Sequence, residues 1–394
     1  MNKKILKILI ILGIIALLIY LIWLIFIPKP SPLENNIPTS TSNVTPSGVT
    51  SSENQEGGIS STSTSSLTTT TYPILTKISD HNVLNYWFDS TSKKIKYIAY
   101  DGTAWDTVSL PNQELSSQNI NGIKHIIPFN DGSKVLISYL TNPNSNNQKW
   151  IIYNSQDDSL TPLPESIVNA TWGAKNSEIF AIIKNNNNFS LASIDLNKDL
   201  LLPNILLKNF NPLDAILKFV PPSNLYIIDR PSELIPSGMM VLDTKKLTLI
   251  QILKKQNGLF IQTTENGDLA FYSKGLTLNV LNLSTLNTTP IPISTVANKC
   301  DLNTNASSSN IFCFGTGFMI DYPLSIDNYL QKAIYSVDTL YNYDTKSYNT
   351  NSLLISNTKI VPPIDATEVK VIEGQVYFIN RYDNSLYRLT LPQE

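Results

Sequence analysis

The feature that most limits how this chain can fold is a recurring punctuation of its larger, C-terminal part. Polar turns occur at Ser92, Asp131-Gly132, Asn176, Ser223, Asn266-Gly267, Ser309 and Glu373-Gly374, each followed by a strongly apolar run, at spacings of 39, 45, 47, 43, 43 and 64 residues. A second series, in which an apolar run ends in a polar turn, falls at Asn154, Asp195, Asp243, Ser284 and Asp344, with steps of 41, 48, 41 and 60. The runs themselves (94–100, Lys134–Leu140, 149–154, 178–184, 224–229, 268–273 and Gln375–Asn380) are rich in Ile, Val, Tyr and Phe and have strand length, and no amphipathic helix longer than two or three turns interrupts them. A repeat of this length with about four strands per unit is one blade of a β-propeller, because such a unit buries its faces only against its neighbours. Seven turns imply seven blades, and the 322 residues of 73–394 allow 46 for each.

Both series lengthen at the same place, so the sixth unit must hold an insertion, 316–332. The last unit offers three strands, near Ala366–Ile372, Gln375–Asn380 and 385–391, and then ends. Its fourth is expected from 74–78 at the start of the domain, which would close the ring and remove an open sheet edge. A pair of stacked sheets is the rival all-β architecture, but sandwiches do not require this period.

The N-terminus bears on location. Residues 8–27 carry no charge and only Gly13, Ala16 and Tyr20 depart from bulky aliphatic or Trp/Phe character. A helix of this length spans about 30 Å, the thickness of a bilayer's hydrocarbon layer. Lys3, Lys4 and Lys7 precede it and Lys29 alone follows closely, which predicts a cytoplasmic 1–7, a single transmembrane helix 8–27, and the rest outside. A cleaved signal peptide is the competing reading; the run is long for one and no small-x-small site follows it. Between Thr39 and Thr71, 20 of 33 residues are Ser or Thr, too little apolar surface to offset chain entropy, so 28–72 is expected to be a disordered Ser/Thr-rich tether.

Composition removes several functions. A formal charge of −2 provides no basic field for nucleic acid, and two His with two Cys leave little from which to build a metal site. Neither an H-E-x-x-H motif nor a G-x-S-x-G elbow occurs, so no catalytic, metal or cofactor residue is singled out. Cys300 and Cys313 flank Asn310, a hairpin spacing that would set them on neighbouring strands; outside the cytoplasm a disulfide is expected, with two buried thiols as the alternative. His125 lies in a run expected to be an inner strand, where a hydrogen-bonded structural imidazole is the ordinary outcome. The insertion combines Phe318, Met319, Tyr322 and Tyr329 with Asp321 and Asp327, a mixture suited to an exposed binding loop. A cap over the blade edge or the ring's channel is the more ordinary role of such an insertion.

Several stretches carry a resemblance: Leu75-Thr76-Lys77-Ile78-Ser79, Lys94-Ile95-Lys96-Tyr97-Ile98, 170–179, Lys299-Cys300 through Asn310-Ile311-Phe312-Cys313 to Ile326-Asp327-Asn328-Tyr329, Asp338-Thr339-Leu340-Tyr341, Val376-Tyr377-Phe378-Ile379-Asn380 and Leu386-Tyr387-Arg388-Leu389. Together they resemble bacterial membrane-anchored propellers with TolB-like or WD40-like blades, over most of 73–394. The Trp or Pro-Asp-Gly of such blades is largely replaced here by Asn, Ser and Lys. The resemblance implies fold and location, and no settled activity. The resulting expectation is a membrane-anchored, extracytoplasmic propeller acting as a non-catalytic module for a protein or cell-wall glycan. The alternative is an extracytoplasmic hydrolase or lyase with carboxylates at the channel mouth. A convergent Asp/Glu pair beside basic residues in the channel would favour the enzyme, and an apolar or plugged channel the binder.

Overall fold

The computed structural model describes residues 73–391 apart from 109, 117, 143–147, 187, 199, 211, 213, 304–309 and 319–324. The helix expected at 8–27 and the tether at 28–72 lie outside the described residues. Among the described residues no helix is long and apolar enough to cross a membrane.

Seven four-stranded antiparallel sheets follow one another along the chain. Their first strands are Val83–Asp89, Ile123–Pro128, Ile167–Trp172, Ile216–Val220, Leu259–Thr263, Cys300–Leu302 and Ala366–Ile372, for blades one to seven. Blade seven takes its fourth strand from the start of the domain: Ile74–Lys77 pairs with Ser385–Thr390, Ile74 opposite Thr390 and Lys77 opposite Tyr387. The ring is therefore closed by joining first to last, and every blade has its full set of strands.

The apolar runs make sense once both faces of each sheet are seen to be covered. In Lys134–Leu140 of blade two, Val135 and Ile137 pack into the cluster shared with blade one, and Leu136 into the cluster shared with blade three. In Glu178–Asn185 of blade three, Ile179, Ala181 and Ile183 face blade two while Phe180 and Ile182 face blade four. Alternate side chains leave opposite faces of a strand, so a strand buried on both sides must be apolar at every position. Each interface between adjacent blades has its own buried cluster, from Trp87 with Ile137 between one and two to Tyr86 with Ile379 between seven and one. The ring has no common centre of apolar packing; its axis is a channel.

Six of the seven turns read from the sequence fall between the first and second strands of their blades, on one face of the ring, here termed the lower face; the seventh, Ser309, lies outside the described residues. Two of them lock adjacent blades together. Gly132 sits at φ 71°, where a Cβ would lie 2.2 Å from the Phe88 carbonyl oxygen, and Ser90 N–H donates to the Asp131 carbonyl (2.9 Å). Gly267, at φ 72°, leaves no room for a Cβ against Val220. Only a glycine accepts both the left-handed backbone and the close approach.

Cys300 and Cys313 are opposite one another on the first two strands of blade six and form a disulfide. The second strand runs on to Phe318, which pairs with Val337, so Phe318 ends a strand and does not belong to the loop in which the sequence reading placed it. The ladder extends because Thr316 and Phe318 find partners at Asp338 and Val337 across a register shift.

Candidate functional site

First strands line the channel, and those of blades four, six and seven place charged side chains on it. The cavity along the axis, about 180 Å³, is bounded by Asn85, Lys218, Gln262, Glu265, Asp301, Glu368 and Lys370, together with the strands that carry them. It shares Asn130, Glu265 and Asp301 with a second cavity of about 320 Å³ that also touches Thr264 and Asn266. Asn130, Glu265 and Asn266 stand on lower-face turns, so the channel opens downward through a polar rim.

Six blades contribute to this wall, and hydrogen bonds stitch several of them together. The Lys370 ammonium donates to the Tyr86 carbonyl (3.1 Å) and lies 5.0 Å from the Tyr86 ring centre. Val371 N–H donates to Asp301 Oδ2 (2.7 Å), tying blade seven to blade six. The Tyr86 hydroxyl reaches the carbonyls of Tyr377 (3.0 Å) and Glu368. Glu368 is held at φ 51° in a bulge of the innermost strand, between Thr367 and Lys370, a device that re-aims a side chain.

Burial dominates the electrostatics. It pushes the Asp301 carboxyl up to about 7, against the Val371 and Leu302 amides and Lys370, which favour the anion, while Glu265 adds to the rise. Burial likewise raises Glu368, with Lys370 opposing. The Lys218 ammonium is lowered, first by burial and then by Lys370, while Glu265 and Asp301 support its charge. Among the described residues no three His, Cys, Asp or Glu side chains converge as metal ligands.

The blade-six insertion lies on the opposite, upper face. Its helix Ile326–Leu330 starts at Ser325, whose side chain accepts from Asn328 N–H. Ile326 and Tyr329 are buried in the cluster between blades five and six. Ile326 N–H donates to Glu233 Oε1 (3.1 Å), and Glu233 N–H donates to Asp327 Oδ2 (3.2 Å), which fastens the insertion to a loop of blade four. At its other end the Lys332 ammonium donates to the Tyr100 hydroxyl of blade one (3.0 Å) and to Asn384 Oδ1 of blade seven (2.5 Å). The described part of the insertion is thus fastened to loops of blades four, seven and one.

Beneath it lies a buried ionic cluster. The Lys299 ammonium is 2.7 Å from Asp338 Oδ2, Asp365 Oδ1 and Ser336 Oγ. Arg381 donates to Asp365 Oδ2 (2.7 Å) and to the Tyr329 carbonyl (2.6 Å), with its guanidinium 4.1 Å from the Tyr329 ring centre. Burial works against the Lys299 charge, but Asp338, Tyr329 and Asp365 outweigh it and raise its pKa.

Of the candidate binding-loop residues, Asp327 and Tyr329 are thus committed to docking the insertion; Asp321 and Tyr322 lie outside the described residues. His125 sits on the first strand of blade two, its Nε2 2.7 Å from Arg230 Nη2, beside a separate cavity between blades two and four. Burial, then Arg230 and Lys124, push it down to about 4, so it is a neutral acceptor. Sequence reasoning missed Lys218, Asp301, Glu368 and Lys370 altogether. The one signal was polar residues in short first strands such as Ile216–Val220, otherwise apolar.

No family model matches the chain, and no curated relative matches it. Among solved structures it is similar to the β-propeller domain of Myceliophteria thermophila Cps50 (Swd1), at 10% identity and a TM-score of 0.50, over 81% of this chain and 100% of that one. It is also similar to the tricorn protease, at 10% identity and a TM-score of 0.47, over 80% of this chain and 34% of that one. At such identity the first likeness speaks to architecture alone, and it agrees with the strand order: the chain carries a closed, seven-bladed β-propeller.

Proposed function

We propose that the protein is a binding and scaffolding module held outside the cell by helix 8–27 and displayed on the tether 28–72, with a protein or cell-wall glycan as its partner. The observation that carries this reading is the fastened upper face. A rigid closed ring offers a broad loop-bearing face, and here the helix of the longest upper loop is fastened to loops of blades four, seven and one, which makes that face one rigid surface. The TolB-like resemblance and the oxidised Cys300–Cys313 pair are in keeping with an extracytoplasmic address.

Crosslinking in the native envelope, followed by identification of the captured neighbours, tests the proposal. A discrete partner recovered from the full-length chain is the expected result; recovery of none beyond a helix-only control would remove the scaffolding role.

A second reading has its own observation. Asp301, pushed up to about 7, can hold a proton at neutral pH beside Glu265, Glu368 and Lys370, the juxtaposition expected of a general acid in an exo-acting hydrolase or lyase. Turnover of glycan ends by the full chain, abolished by Asp301→Asn, would establish it in place of the non-catalytic module.

A further inference from the structure

The charges in the channel are not used up by one another. Lys218 and Lys370 share the cavity with Glu265, Asp301 and Glu368, yet among the described residues no ammonium of the five-residue set comes within ion-pairing distance of a carboxylate. Lys218 has neither a hydrogen bond nor an ion pair among the described residues, and the same holds for the carboxylates of Glu265 and Glu368. Lys218 stands on blade four, Glu265 on blade five, Asp301 on blade six, and Glu368 and Lys370 on blade seven. Charged side chains that converge on one cavity and that protein atoms leave without ion pairs indicate a site.

We propose that the channel is a binding site for a small zwitterion, entering by the lower mouth, whose carboxylate meets Lys218 and whose ammonium meets the Asp301–Glu368 side. One molecule bearing both charges completes both arms at once. A lone anion would leave the carboxylates open, and a lone cation would leave Lys218 open. The rival cavity at His125 lacks this property, because Arg230 there is already bound to Asp214 (2.7 Å) and to the imidazole. The proposal is independent of which partner the outer faces hold.

Calorimetric titration of the full-length chain in detergent with glycine, γ-aminobutyrate, butyrate and butylamine tests it. Saturable binding of at least one zwitterion, on the order of tenfold or more tighter than either singly charged compound, is expected, and Lys218→Met should weaken it by a similar factor. A readout on the unsubstituted chain guards against a misfolded variant: reductive methylation of Lys218, followed by mass spectrometry, should be slowed by the bound zwitterion and not by butylamine. Equal binding of butyrate or butylamine, absence of saturable binding by both zwitterions, or unchanged affinity in Lys218→Met would overturn the proposal. A negative result here leaves envelope crosslinking untouched, so the two readings fail separately.

Discussion

Two clusters of charge distinguish this ring, one fully buried under the cap and one lining the channel, and they are opposites. Under the upper cap, Lys299, Asp338, Asp365 and Arg381 contact each other at 2.7 Å, and Ser336, Tyr329 and the Ala366 amide take up the remaining donors and acceptors. In the channel, Lys218, Glu265 and Glu368 face the cavity without such contacts. The first cluster has the saturation of a structural rivet. The second carries the desolvation cost of charge without its return, which is the condition of a site awaiting an occupant.

Breaking one partner in each cluster should therefore give opposite results. The largest effect is expected for Lys299→Met, which takes the only ion-pair partner from the buried Asp338 and one of two from Asp365, and should cost roughly 3–5 kcal/mol in denaturant unfolding. If it costs no more than a surface substitution, the cap is not held by this cluster. Next comes the disulfide beside Asp301. Replacing Cys300 and Cys313 together by Ala reopens a short loop and should cost on the order of 3 kcal/mol, seen as a lower Tm under oxidising conditions that disappears in reductant.

Channel substitutions should move stability the other way. Asp301 binds its proton more tightly in the folded chain, about 7 against 3.8, so the folded state takes up protons as pH falls through this window and loses stability as pH rises from about 4 to 7. Asp301→Asn keeps an acceptor for Val371 N–H, removes that slope, and should stabilise the protein at pH 8 by on the order of 2 kcal/mol. A mutant with the same pH slope as the parent would show that another group supplies it. Smallest of all, Lys218→Met should be neutral or stabilising by up to about 1 kcal/mol, since it removes an unpaired ammonium. Clear destabilisation would mean that Lys218 has a structural partner and that the contrast between the clusters is false.

The contrast also marks what could be read from the chain. Turn spacing located the hairpin between first and second strands of six blades, because those turns are polar and two of them need Gly at a left-handed position against a neighbouring blade, Gly132 and Gly267. The excess length in blade six exposed the insertion, and the Cys spacing the disulfide. Asp327 and Tyr329 looked like contact residues because aromatic and acidic side chains are the usual material of binding loops. They are instead docked, Tyr329 at 5% exposure, a fate that depends on Glu233 and Arg381 from other blades.

Local order in this protein follows from the chain itself: alternation of apolar residues sets the strands, turn chemistry ends them, and the length of the repeat sets their grouping. Lys218 and Glu368 are 150 residues apart, and nothing in either neighbourhood refers to the other. They meet because the pairing of Ile74–Lys77 with Ser385–Thr390 closes the ring and brings blades four and seven around one axis. Sequence periodicity encodes contacts within a blade and between neighbours, whereas the charge on the axis is a property of closure, which only the tertiary structure decides.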